Sequence, residues 1–261
     1  MSDSRKKFLR SYRKNKLIIK LSQICLALSF LLVWEVLAKY EIINSFITSS
    51  PSKIVVTIIN LFIKDNLIYH IFITLSETLI AFIITLVISL TLSILIYKST
   101  ILDKIIDPYL TVINSLPKVA LGPIIIIWAG AGMKSIILMA LFISVIITII
   151  NVYQSFNETD YNKIKLMKTF NATRFQIYTK LILPNSLKTI ISSLKINISM
   201  SLIGVIMGEF LVSKKGIGYL IMYGSQVFNL DLVITGIFIL CVVASLMYYI
   251  ILYIEKKLIK N

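Results

Sequence analysis

Three carboxylates stand inside long apolar runs of this 261-residue chain: Glu35, Glu77 and Glu209. An ionisable group in such a setting is costly to keep from water. It marks a helix–helix hydrogen bond, a lined cavity or a solute contact. Glu35 and Glu209 fall near the ends of their runs, where water is expected to reach them, and Glu77 lies deeper. His70 is the single histidine, and Cys25 and Cys241 are each alone in apolar sequence. One imidazole at a span end is poor material for a metal or a proton relay. The two thiols form no CxxC or Cys/His cluster and read as small packing residues. No stretch reads G-x-x-x-x-G-K-[ST], and "GAGMKS" (130–135) does not complete a G-x-G-x-x-G. The residue inventory therefore points to no catalytic residue, no metal and no cofactor bound by this chain.

The other polar residues that invite chemistry sit at a break and along a stripe. Asn114, Ser115, Pro117 and Lys118 surround an interruption in an apolar run, with Gly122 and Pro123 just beyond. Broken helices are tolerated at membrane depth where they line a cavity or pack on protein. These four are candidates for a translocation pathway. Lys195 and Ser199 share a stripe with Ser192 on a later run; Lys195 would attract an anion there or snorkel to the interface. Glu209 completes the pathway set. A second stripe on the same run, Asn197, Ser201, Gly204 and Gly208, has the small-residue spacing of a close packing seam, one place for which is a dimer interface.

Composition says what must hold these residues. The chain is 57% hydrophobic and only 15% charged, with mean hydropathy +0.89; a soluble domain carries roughly a quarter charged residues. Continuous apolar runs of about 20 residues favour spanning helices over the ten-residue alternation of a β-barrel. Six spans are expected, at 17–38, 67–97, 109–128, 134–152, 187–211 and 231–254. The domain reading is a basic cytoplasmic tail over 1–16, a first transmembrane helix over 17–40, and a core over 67–254 that includes a cytoplasmic loop at 153–186. The first run is longer than a signal peptide's and is expected to be retained.

The net charge of +15 would suggest nucleic acid in a soluble protein. Here its distribution decides. With the N-terminus inside, the internal segments hold nineteen Lys/Arg and the external ones six, as the positive-inside rule requires. Both termini are expected in the cytoplasm, with the lipid bilayer as partner and no nucleic acid.

One loop is too patterned to be a slack connector. "DYNKIKLMKTFNATRFQIYTKLILPNSLK" (160–188) carries six Lys/Arg and one Asp. Asp160 suits an N-cap. Tyr161, Ile164, Met167 or Lys168, and Phe170 follow at helical spacing, and Asn171 suits a left-handed stop. Phe175, Tyr178, Leu181 and Ile182 share one face of a second helix, which Pro184 is expected to end or bend. The pattern predicts a helical knob with an apolar face turned to the cytoplasm, and such a face needs a groove on a partner.

At these residues the chain resembles the permeases of ABC importers. Their coupling loop reads E-A-A, three residues, G, then a hydrophobic helix closing on L-P. Counting back from Leu183 and Pro184, the glycine position holds Asn171 and the E-A-A positions hold Lys165, Leu166 and Met167. Further segments occur in the family's order: "WE" at 34–35, "SSPSK" at 49–53, "SLPKVALGPIIIIWAGAGMKS" at 115–135, "GEF" at 208–210 and "GIGYLI" at 216–221. The nitrate/sulfonate/taurine branch is the most similar. The resemblance implies an all-α polytopic protein with the type I ABC importer permease fold, in the plasma membrane. It implies a homodimer that imports a small anionic organic solute, with an extracytoplasmic solute-binding protein and two cytoplasmic ATPase subunits that use the ATP. Those subunits would dock on 160–184, through Asp160, Ile164, Lys165, Leu166, Met167, Phe170, Asn171, Ala172, Phe175, Leu183 and Pro184. Relatives that carry pyrimidine or flavin vitamin precursors are the alternative within this class. A stand-alone secondary transporter or channel is the alternative outside it, although no inverted repeat is evident. An intramembrane enzyme has little catalytic material here.

Overall fold

The computed structural model describes residues 3–259, and the side chains among them other than those of 3–11, 13, 45, 100, 258 and 259. Among the described residues the chain is helical, with no strand. In chain order the α-helices are α1 (Asp3–Lys39), α2 (Ser45–Thr48), α3 (Pro51–Lys64), α4 (Leu67–Lys98), α5 (Thr100–Ser115), α6 (Gly122–Ala129), α7 (Met133–Asn157), α8 (Tyr161–Thr169), α9 (Arg174–Ile177), α10 (Leu183–Val212), α11 (Ile217–Gln226) and α12 (Leu230–Ile259). Five helical stretches are long and apolar enough to cross a bilayer. A sixth span results if the bent pair Ile101–Ser115 and Lys118–Ala129 is counted as one. The expected all-α, polytopic architecture is what folds.

Two compact units are formed. The first comprises residues 1–65 and 224–235. One helix runs through the expected tail and first span; the tail's side chains up to residue 11 lie outside the described residues. Glu35 has a structural partner: its carboxylate accepts hydrogen bonds from the Ser52 amide (2.9 Å) and hydroxyl (2.8 Å). Those groups open α3, whose first turn has unpaired amides and a positive dipole end that favour an anion.

The second unit comprises residues 66–223 and 236–261. Its centre is α4, α7 and α10. Along α4 the small or polar residues Thr74, Thr78, Ala81, Thr85, Ser89 and Ser93 recur every three or four positions, and all are fully buried. Thr85 shares a 2.7 Å bond with Ser144 of α7, while Ser89 and Ser93 donate to the carbonyls of Val145 and Ile149. Gly204 of α10 lies against the Ala140 backbone of α7, and Gly208 against Ile136. The small-residue stripe of α10 is thus a seam inside one chain, packed on α7, and not the dimer interface offered as one reading.

Two span boundaries differ from expectation. The third run starts at Thr100 instead of 109, because Ser99 caps it by accepting from the Leu102 amide. It turns through 86° at the 3₁₀ segment Lys118–Leu121. The helix before Pro184 does not end there. A π-helical turn, Tyr178–Ile182, joins α9 to α10, and Pro184 falls in the first turn of α10. The wider winding of a π turn absorbs the local misfit in the hydrogen-bond ladder, so one apolar stretch runs from Arg174 to Val212.

A methyl group added at Gly204 would fall inside contact distance of the Ala140 backbone. Gly204→Ala is expected to force α7 and α10 apart at a cost of about 1–3 kcal/mol. A lowered melting midpoint of the purified protein in detergent would show it; an unchanged midpoint would mean that the seam is loose.

Candidate functional site

The loop singled out by the sequence is built from local hydrogen bonds. Asp160 opens α8 by accepting from the Asn162 amide at 2.8 Å. Asn171 closes it with φ +53°, while the amides of Asn171 and Ala172 donate to Lys168 and Met167, a left-handed helix stop. Thr173 and Gln176 then form a reciprocal capping box that starts α9. That box was readable as T-x-x-Q and was missed in the sequence.

The apolar residues of the loop divide into two sets. Ile164, Met167, Ala172 and Leu183 pack against the buried cluster of Val152, Phe156, Ile177, Ile182 and Ile190. Leu166 and Phe170 point away, 57% and 76% exposed, together with Lys165 and Pro184; Phe175 is also largely exposed. The expected single outward face is therefore corrected: Met167 and Ile164 root the loop, and Tyr178, Leu181 and Ile182 do the same from the second helix. Beneath them Tyr97 of α4, Phe156 of α7 and Tyr178 stack edge-on or tilted, with centroids 5.4–6.0 Å apart. The loop rests on all three central helices.

The pathway candidates fall into three separate places, and no hydrogen bond or ion pair joins these among the described residues. At the break, the Lys118 ammonium donates to the Asn114 side-chain carbonyl at 2.9 Å. Ser115 donates back to Thr111 and Val112, and Pro117 opens the 3₁₀ turn. On α10, Ser199 donates to the Lys195 carbonyl. Lys195 itself is ion-paired with Glu255 of α12 at 2.9 Å. It is not a free cation for a solute; the partner was missed because nothing in sequence links residues 60 positions apart.

Glu209 departs furthest from expectation. It is 1% exposed, so its place near a span end does not bring water. Its carboxylate accepts from the Thr74 hydroxyl at 2.6 Å and the Gly218 amide at 2.5 Å. Thr74 accepts in turn from the Ile217 amide, and the Gly216 amide donates to His70 Nδ1. A side chain at Gly216 or Gly218 would meet the Glu209 carboxylate, and Gly216 has φ +100°, so glycine is needed there on both counts. Glu77 is buried beside this knot, its carboxyl group in contact with that of Glu209. Glu209 thus fastens α11 to α4 and α10.

Residues 89–260, more than half of the chain, match the family described as the binding-protein-dependent transport system inner membrane component. The chain belongs to this family. An aliphatic sulfonates transport permease protein of Bacillus subtilis is 25% identical, over 87% of this chain and 83% of its own. A formylaminopyrimidine transport permease protein of Halalkalibacterium halodurans is 26% identical, over 74% and 76%. Among solved structures, the MetNI methionine ABC transporter in inward facing conformations shares the fold, with TM-score 0.63 and 19% identity over 74% of this chain and 94% of that one. The permease is thus a multi-pass membrane subunit of an ABC importer, which works with a binding protein and a separate ATPase; it is not an enzyme.

The Lys195–Glu255 pair of the permease makes a sharp test. Removing one partner strands the other, at up to about 3 kcal/mol, whereas removing both can be nearly neutral. Lys195→Met and Glu255→Gln should each lower the melting midpoint, and the double variant should regain most of it. A double variant as unstable as the sum of the singles would show that the two do not interact.

Proposed function

We propose that the permease imports a small anionic organic solute of the sulfonate or taurine kind, as a homodimer with two ATPase subunits docked on 160–184. The observation that carries this reading is the divided loop: Leu166 and Phe170 stand exposed on α8 and at its end, and Phe175 on α9, while Ile164, Met167 and Ile177 of the same segment are seated on α4, α7 and α10. A short helix with an apolar outer face suits a groove, and its rooted inner face would pass a push from the ATPase into the spans. Closure of the ATPases on ATP would then favour one of two span arrangements over the other. ATP stays with the partner, and this chain holds no cofactor. The nineteen-to-six cation bias supports placing both termini and the loop in the cytoplasm, and the solute-binding protein outside.

Of the three pathway groups, the break at Asn114, Ser115, Pro117 and Lys118 is the one whose cation, the half-buried Lys118, has no carboxylate partner among the described residues, with Asn114 and Ser115 exposed beside it. An anionic solute is the reading it supports. A vitamin precursor is the second reading, favoured by the relative named for formylaminopyrimidine; nitrate would be an inorganic anion outside the first.

Three measurements bear on this. Lys118→Glu should cut uptake of a sulfonate at least tenfold, about 1.4 kcal/mol, with the assembled complex present in normal amount; undiminished uptake would return the break to a structural role. Leu166→Ala with Phe170→Ala removes two side chains worth roughly 1.5–3 kcal/mol each when buried. ATPase binding to the membrane fraction should weaken by tenfold or more while the permease still inserts. Met167→Ala, on the rooted side, should instead lower the melting midpoint. Unchanged ATPase binding in the double variant would sink the docking role of the loop.

A further inference from the structure

Between the loop and the helix ends lies a cavity of about 680 Å³, within the range of small-ligand sites. Tyr97 and Lys98 at the end of α4, Tyr153 near the end of α7, and Lys168, Arg174 and Tyr178 of the loop segment line it. Its one carboxylate, Asp103, lies beside Tyr153. Lys98, Lys168 and Arg174 form no ion pair among the described residues. The Tyr178 hydroxyl is buried and meets no protein hydrogen-bond partner. Three cations, tyrosine donors and an apolar wall of Ile164 and Phe175 make a receptor for an oxyanion that carries some apolar mass. Arg and Lys together are the usual holders of phosphate.

We propose that this cavity binds a phosphate ester anion, supplied by the headgroup of an acidic phospholipid. The depth argues for that source. The cavity sits where the spans α4 and α7 end, the level of the headgroups, and basic pockets between helices on the cytoplasmic side suit acidic lipid headgroups. A cytosolic phosphate ester offers the same chemistry from the aqueous side. Either occupant would lie between the loop and the helix ends on which the loop rests, so occupancy would stiffen the coupling element. The lipid assignment rests on the cytoplasmic placement of the loop proposed above.

The test uses the intact complex, permease with its ATPase, in nanodiscs of phosphatidylcholine with or without phosphatidylglycerol. Retained lipid is read by native mass spectrometry after delipidation. The wild type should retain phosphatidylglycerol selectively. Lys98→Gln/Lys168→Gln/Arg174→Gln should lose on the order of a hundredfold in apparent affinity. Lys163→Gln/Lys180→Gln/Lys188→Gln removes equal charge outside the cavity and should retain the lipid. Asp103→Asn should tighten retention, an opposite-signed result that does not depend on the triple variant folding. Free glycerol 3-phosphate that raises the melting midpoint in neutral discs and displaces phosphatidylglycerol would support the site with a soluble source. Equal loss in both triple variants would overturn it, as would a wild type indifferent to both probes. So would retention that appears only after the ATPase is stripped away, because the ATPase would then be the occupant. The readout needs no transport. Selective retention together with labelling of Thr169→Cys from outside the cell would overturn the importer orientation and leave the anion site standing.

Discussion

Inside a bilayer no polar group can turn to water, so each must find its partner within the protein. The α4–α7–α10 bundle is organised by that constraint. Some hydroxyls are satisfied on their own helix: Thr78 donates to Thr74, Ser144 to Ala140 and Thr148 to Ser144. Others cross, as Ser89, Ser93 and Ser186 do to the carbonyls of a neighbouring helix. Each crossing bond contributes only about 0.6 kcal/mol on average. Their greater effect is geometric, because small hydroxyl residues, with Ala140, Gly204 and Gly208, let backbones approach to contact. Dispersion then replaces the hydrophobic effect, which lipid removes as a driving force between helices.

That closeness makes α10 a rod held along its length. With thirty residues it is roughly 45 Å long. One end passes through a π turn into the loop that carries Leu166, Phe170 and Phe175. The other end is clamped by Glu209 to Thr74 and Gly218. Between the two ends, Lys195 ties the rod to α12 through Glu255. A displacement at the loop therefore has a continuous helix to act on, and fixed points at which that helix meets its neighbours.

Legibility in the sequence followed the range of the interactions. Asp160 and Asn171 bound α8 as read, because caps and left-handed stops are made by a residue and its near neighbours. The break at Pro117 was likewise visible, since proline acts on its own turn. Pro184 misled for the complementary reason: its effect depended on the π turn before it, which no single residue announces. Lys195 and Glu209 lie on the expected helix, in surroundings that the sequence does not show. Their partners, Glu255 and Thr74, lie 60 and 135 positions away, beyond any periodicity.

By itself, the sequence determined that this chain is a set of spanning helices with a basic, capped loop between the fourth and fifth, because apolar length, charge bias and capping are properties of short segments. Tertiary structure alone decided which side of each segment matters. Ile164 and Met167 face the body while Leu166 and Phe170 face out, because α4, α7 and α10 occupy one side of the loop and leave the other open. The same packing turned Glu209 from a water-accessible acid into a buried clamp, since exposure depends on where the other helices lie.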